Sequence, residues 1–268
     1  MGQPTPSLPV PETGHGLGPG GTSGRGTPPS GRRRLLVACA TAKEYKAALA
    51  PLGAPAAPEP GRAVPWRRGG RDFLILVTGV GPVAAALAVG RVLGRHEGAI
   101  GGLVNCGVAG SFDLAGVPLG GLVAATAEAF PEFGLRREAG TDPRGIGFPQ
   151  LSLPGAGGGP VFDRLPLAPE AAAGDMGLSL PPGTLFGPCV TVAGVSGDAA
   201  RAALLARRYG AACESMEGFA VGLAAAVAGL PFLELRTVSN RVGARPPEDW
   251  DLAGALAALG RAVAILFS

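Results

Sequence analysis

Histidine is nearly absent from this chain: only His15 and His96 occur in 268 residues. A histidine-based triad or a His-ligated zinc site has almost no material to work with, which removes several hydrolase mechanisms at once. Cysteine is scarce as well. Cys39, Cys106, Cys189 and Cys213 are far apart in the sequence, sit among apolar neighbours and form no CxxC pair. They read as buried free thiols of a reducing compartment, not as metal ligands. Neither sign of charge dominates, with 23 Lys+Arg against 20 Asp+Glu, and the basic residues do not gather with aromatics into a stripe that could track phosphates. Nucleic acid is therefore not expected as a main partner. No apolar run approaches the roughly 18 residues of a membrane span, so no membrane partner is expected either. Arg32-Arg33-Arg34 and the apolar run after it imitate a signal peptide, but Lys43-Glu44-Tyr45-Lys46 follows directly. The segment reads instead as the first buried strand of a cytoplasmic protein.

Glycine and proline, at 46 and 27, are plentiful, without a collagen period. Residues 1–32 hold much of this excess and scarcely any large apolar side chains, so they cannot bury enough surface to offset the entropy of ordering and are expected to form a disordered tail. Residues 33–268 then make one domain. In it, short apolar runs alternate with alanine-rich segments of helical length. Strands are expected over 35–40, 73–78, 103–106, 121–127, 190–192 and 232–238, and helices over 42–52, 82–95, 199–209, 217–228 and 250–267. Continuous apolar strands separated by helices predict an α/β domain with a largely parallel sheet covered on both faces. Residues 130–187 break the rhythm with Gly, Pro and scattered aromatics, a long irregular stretch of the kind that more often serves function.

Ligands in such folds gather at the carboxyl ends of strands, and four clusters fall there. They are Ala40-Thr41-Ala42-Lys43-Glu44, the small-residue turn Asn105-Cys106-Gly107-Val108-Ala109-Gly110, the acidic Glu214-Ser215-Met216-Glu217-Gly218, and Arg236-Thr237-Val238-Ser239-Asn240. Each also has a plain structural reading. An acid near a helix start complements the macrodipole, a glycine turn turns, and Ser-Asn caps the next element. Gly79-Val80-Gly81 is a poor dinucleotide fingerprint, because its third glycine would fall at Ala84 and no acid follows at the required distance.

Taken in order, residues 36–40 leading to Glu44, Thr78-Gly79-Val80-Gly81, Asn105 to Gly110, Ser196-Gly197-Asp198, Ser215-Met216-Glu217 and Arg236 to Asn240 resemble the landmarks of the nucleoside phosphorylase and nucleosidase superfamily. The resemblance covers about residues 35 to 265. Within the superfamily, Ser239-Asn240-Arg241-Val242-Gly243-Ala244-Arg245 followed by Trp250 is similar to the C-terminal portion of the futalosine hydrolase family, nucleosidases of the alternative menaquinone pathway. The resemblance implies a single three-layer α/β/α domain with a mostly parallel or mixed central sheet, a small-molecule nucleoside substrate, no cofactor, no metal, and a homo-oligomer, with a dimer favoured.

It also implies roles. Glu44 would orient and deprotonate the attacking water, Glu217 would accept hydrogen bonds from the ribose 2′ and 3′ hydroxyls, and Met216 would pack on the sugar. Ala109, Gly110, Ala200 and Ser239 would supply the base pocket and its backbone. Asn240 stands where relatives acting on adenine carry aspartate. An amide oxygen can accept from a protonated N7 while its nitrogen donates to a 6-oxo group, so Asn240 suits hypoxanthine or guanine, and futalosine is the expected substrate. Phosphorolytic relatives place arginine where this chain has Asn105, and an acid such as Glu44 would repel phosphate, so water is the expected nucleophile. Phe130, Phe133, Phe148, Arg136 and Arg137 are candidates for receiving the aromatic carboxylate at the 5′ position, or they merely pack and face solvent. A methylthioadenosine or adenosylhomocysteine nucleosidase, a purine nucleoside phosphorylase and a non-catalytic nucleoside-binding protein are the competing readings.

Overall fold

Periods of two and of 3.6 residues alternate along the chain, and they set the element order in the computed structural model, which describes residues 33–138, 140–155, 158–243 and 249–268. The tail expected at 1–32 and the Ala244-Arg245 part of the C-terminal landmark lie outside the described residues. The first half runs β1 (Arg34–Cys39), α1 (Ala42–Ala48), a 3-10 turn (Ala50–Leu52), β2 (Ala63–Arg68), β3 (Arg71–Val77), α2 (Pro82–Arg95), β4 (Ile100–Ser111) and β5 (Leu122–Ala129). The irregular stretch holds β6 (Leu135–Arg137), β7 (Gly140–Asp142), β8 (Leu151–Ser152), β9 (Pro160–Val161), β10 (Arg164–Pro166) and α3 (Pro169–Asp175). β11 (Leu185–Thr191), α4 (Ala199–Tyr209), β12 (Cys213–Ser215), α5 (Gly218–Val227), β13 (Phe232–Arg241) and α6 (Leu252–Leu266) complete it.

Strand alternation divides the core in two. Leu35, Val37, Cys39, Phe73, Ile75 and Val77 pack with Tyr45 of α1, Ala172 of α3 and Leu259 and Val263 of α6. Their neighbours Leu36, Leu74 and Leu76 point the other way, against Val89 and Val92 of α2 and Val221 of α5. Helices therefore cover both faces, and each fully buried large apolar side chain stabilises this sandwich by about 1.5–3 kcal/mol.

The nine-stranded main sheet is mixed. β4 pairs with β13 in parallel, β13 with β5 antiparallel, β5 with β11 and β11 with β12 in parallel, and β12 with β4 antiparallel. Those five strands close on themselves, while β1, β3 and β2 extend from β4 and β10 flanks β5. Closure gives β13 a second partner at Leu235–Thr237 and β4 one up to Asn105 and again at Gly110 and Ser111.

Several expectations need correction. Asn105 to Gly110 is no turn: β4 runs on to Ser111, held by parallel pairing with β13 through Ser111↔Arg241. The expected helix over 42–52 stops at Ala48, because Pro51 cannot continue it and the chain tightens into the 3-10 turn. β2, α3 and β12 have no counterpart among the expected elements. The cysteines, distant in sequence, come together on paired strands. All four are free and buried, with Cys39 Sγ 3.6 Å from Cys106 Sγ and Cys189 opposite Cys213.

Candidate active site

Glu44 reaches the site from the first turn of α1, which Thr41 caps. The Thr41 hydroxyl accepts from the Glu44 N–H at 3.2 Å, and Glu44 Oε2 accepts from the Thr41 N–H and hydroxyl at 2.9 and 2.8 Å. The plain capping reading is thus half right. The other oxygen leaves the helix: Oε1 accepts from the Val108 N–H at 3.0 Å. That donor is open because β1 pairs with β4 only as far as Ala38↔Asn105, and β12 takes up that strand only from Gly110. Three donors fill three of the roughly four lone-pair positions of a carboxylate and fix its orientation.

Glu217 precedes α5 but makes no side-chain cap there. Its Oε1 instead accepts from the Gly81 N–H at 3.0 Å, at the start of α2. Burial raises its pKa, Arg236 and the Gly81 N–H work in the opposite direction, and Glu44 and Glu234 add to the rise.

Arg236 joins the two acids. This fully buried guanidinium donates from Nε to Glu234 Oε1 at 2.7 Å and places Nη1 3.7 Å from Glu217 Oε2. It also borders Glu44, since a Cβ on Gly107 would lie 2.5 Å from Glu44 Oε1 and 2.7 Å from Arg236 Nη1. Only glycine permits that approach. Burial works against the Arg236 charge, yet Glu234 and Glu217 outweigh it and hold the pKa above the ordinary value. Removing one partner of such a buried cluster costs about 3–5 kcal/mol.

A second group gathers where β4 and β13 end. A bulge in β13 passes over Ser239, so Val238 faces Ala109 and Asn240 faces Gly110. The Ser239 hydroxyl lies 3.3 Å from the Ala109 carbonyl and donates at 2.9 Å to Asn240 Oδ1, while Asn240 Nδ2 donates at 2.9 Å to the Arg241 carbonyl. Trp250 bridges Asn240 from the other side. The Asn240 side chain caps no helix, because Asp251 caps α6.

The remaining candidates are spread out. Met216 is half-buried beside Glu217, and Ala200 is exposed on the first turn of α4. Phe130 stacks on Phe219 with ring centroids 5.8 Å apart, in an apolar groove of about 610 Å³ between α2 and α5. Phe133 is half-buried. Arg136 and Arg137 are exposed on the β6–β7 hairpin, with Arg137 3.9 Å from Asp142.

Two polar groups were not assigned from the sequence. One is Arg236 with Glu234 and Glu128. The signal was present, as Glu234 and Arg236 are two charges inside the otherwise apolar run 232–238, and buried charges are rare unless paired. The other lies beside the base end: Glu214 accepts from the Ser196 N–H and hydroxyl at 2.9 and 2.6 Å, and Arg201 joins that hydroxyl, at 3.2 Å, to Glu132, at 2.6 Å.

The family described as Phosphorylase superfamily matches residues 34–266. A futalosine hydrolase of Streptomyces coelicolor is 36% identical over 236 residues, covering 85% of this chain and 93% of the relative. A futalosine hydrolase of Thermus thermophilus is 36% identical over 210 residues, covering 76% and 86%. Among solved structures, a methylthioadenosine/adenosylhomocysteine nucleosidase of Helicobacter pylori aligns with a TM-score of 0.66 at 16% identity, covering 87% of this chain and 96% of that one. The futalosine hydrolase of Helicobacter pylori aligns with a TM-score of 0.59 at 14% identity, covering 87% and 94%. These structural likenesses concern the fold alone.

Proposed function

The chain belongs to the phosphorylase superfamily, and from that membership we propose that it hydrolyses the N-ribosidic bond of a 6-oxopurine nucleoside, futalosine in the first place, releasing hypoxanthine. The observation that carries this reading is the meeting of Glu44 and Glu217, from α1 and from the start of α5, on the single guanidinium of Arg236. Breaking the bond between C1′ and N9 leaves positive charge on the sugar and negative charge on the base, and each must be stabilised where it appears. Glu217, held by Gly81 and Arg236, keeps lone pairs for the ribose hydroxyls and sets negative charge beside the developing oxocarbenium. Glu44 retains one lone pair for a water, whose oxygen bonds to C1′ as its proton passes to the carboxylate. The base departs with the C1′–N9 electron pair; N7 takes its proton from solvent water, since an amide has none to give, and the Asn240 oxygen accepts from the N7–H so formed.

Asn240 must give up its bonds to Ser239 and Arg241 to read the base, so its present partners act as place-holders for the purine edge. Binding without turnover needs no water-orienting acid, and the three-donor cradle around Glu44 argues against it. Residues 33–268 form the catalytic domain in this reading, and the protein works in the cytoplasm as a homodimer. Two supports stand behind that assignment: unbonded cysteines 3.6 Å apart suit a reducing compartment, and the apolar groove with Val83 80% exposed in its lining, together with Leu87, 72% exposed on the same helix, suits a second copy. Among the described residues no helix is long and apolar enough to cross a membrane.

The test is incubation with futalosine, inosine, methylthioadenosine and adenosylhomocysteine, with and without phosphate, and identification of the released base and sugar. Hypoxanthine from futalosine in the absence of phosphate is the expected result. Adenine release, or ribose 1-phosphate formed only with phosphate, would replace the reading.

A further inference from the structure

Behind Glu217 lies a pair of acids that the chemistry above leaves unused. Glu128 on β5 and Glu234 on β13 are both fully buried, and a Cβ on Gly218 would overlap both carboxyl groups. α5 must therefore open on glycine for the two to meet. Like charges in a dry interior do not both ionise at neutral pH. The hydrogen bonds show where the proton belongs. The Thr191 hydroxyl accepts from the Phe219 N–H at 2.7 Å, so it donates its single hydrogen to Glu128 Oε2, also at 2.7 Å. Glu234 Oε1 is taken by Arg236 Nε at 2.7 Å. The two oxygens left over, Glu128 Oε1 and Glu234 Oε2, have no hydrogen-bond partner among the described residues, and both border Gly218. A hydrogen on Glu128 Oε1 serves both.

We propose that Glu128 and Glu234 share one proton across Gly218 and act as positioning residues, holding the Arg236 guanidinium where it faces Glu217 and Glu44. The proposal rests on the nucleosidase reading for its kinetic consequence and on the geometry alone for the shared proton. Burial pushes Glu128 well above the usual carboxylate range and the Glu234 charge pushes it further, while Thr191 offsets part of the rise; Cys213 and Arg236 are its other charged or titratable neighbours. Glu217 is faced by Arg236 and Glu234 from β13, Glu44 from α1 and the Gly81 N–H at the start of α2. With Glu234 neutralised, Arg236 leans on Glu217 and Glu44, and a source of negative potential is gone. Both changes favour the ionised form of Glu217.

The experiment has two arms. In Glu234→Gln, the acid limb of the kcat/KM profile for futalosine moves to lower pH by about one unit. A limb that stays in place, with lost activity tracking lost thermal stability, would overturn the positioning role. In the unaltered protein at neutral pH, infrared spectroscopy shows the carbonyl band of a protonated carboxyl, and Glu128→Gln removes it. No band, or a band that survives the substitution, overturns the shared proton, whether or not Glu234→Gln folds. Failure of the unaltered protein to turn over any nucleoside sinks the function while leaving the band, so the two failures are distinguishable.

Discussion

At what the proposed function makes the sugar end of the site, each carboxylate is gripped from a different element: Glu44 by β4 as well as by its own cap, and Glu217 by α2 and by Arg236 of β13. At the proposed base end the Asn240 side chain bonds, among the described residues, to its immediate neighbours Ser239 and Arg241, Phe133 is half-buried and Arg136 stands on an exposed three-residue strand. The difference is one of what a change disturbs. A charge at the sugar end cannot move without leaving a buried partner uncompensated, at a cost of about 3–5 kcal/mol. Exposed charges of the Arg136 kind are worth about 0–1 kcal/mol. In the proposed reading, chemistry is anchored to the rigid end and the choice of substrate to the end that can be rewritten.

The contrast breaks most decisively at Glu44. In Glu44→Gln, turnover of futalosine followed by hypoxanthine release should fall about 10²–10⁴-fold with KM little changed; full turnover would mean that the sugar end is not where the chemistry happens. Gly107→Ala comes next. The new methyl group enters the gap between Glu44 and Arg236, and overpacking of this kind costs about 1–3 kcal/mol. A denaturation midpoint should drop and turnover should fall with it, whereas an unchanged protein would show the sugar end to be looser than described.

Asn240→Asp sharpens the comparison from the other side. Stability should hold, turnover of the hypoxanthine nucleoside should fall by roughly tenfold or more, and the 6-amino analogue should gain in relative terms, because a mispaired buried edge is a strong discriminator. Unchanged kinetics on both would remove Asn240 from the site. The smallest effect belongs to Arg136→Ala combined with Arg137→Ala. KM for futalosine should rise by about twofold to fivefold, as suits exposed charges, and KM for inosine should stay. Equal rises would reject a 5′-carboxylate contact.

Much of this was visible in the sequence, for reasons that differ by element. α2 and α4 match their expected bounds, because Pro82 opens one and Asp198 caps the other. β1 and β3 lie within two residues of expectation, since both faces are covered and their apolar runs are continuous. β4 was cut short at Cys106 because glycines in a strand read as a turn; here Gly107 is a point of close approach. β2 went unseen because Pro65 and its arginines hide an edge strand, and the three residues of β12 are too few for a period. Glu44 and Glu217 were legible as acids at strand ends, yet Arg236 received no role, because which strands pair to bring it between them is a matter of topology and leaves no periodic trace.

The closed five-strand hoop has a bearing on biosynthesis. Among the described residues β13 follows every other strand in chain order and pairs with both β4 and β5. Until residue 241 has emerged, those two strands present open seams to chaperones or to other nascent chains, and the pocket has no guanidinium. In the proposed reading, catalytic competence therefore waits on a single segment that both zips the hoop and delivers the cation around which the acids assemble.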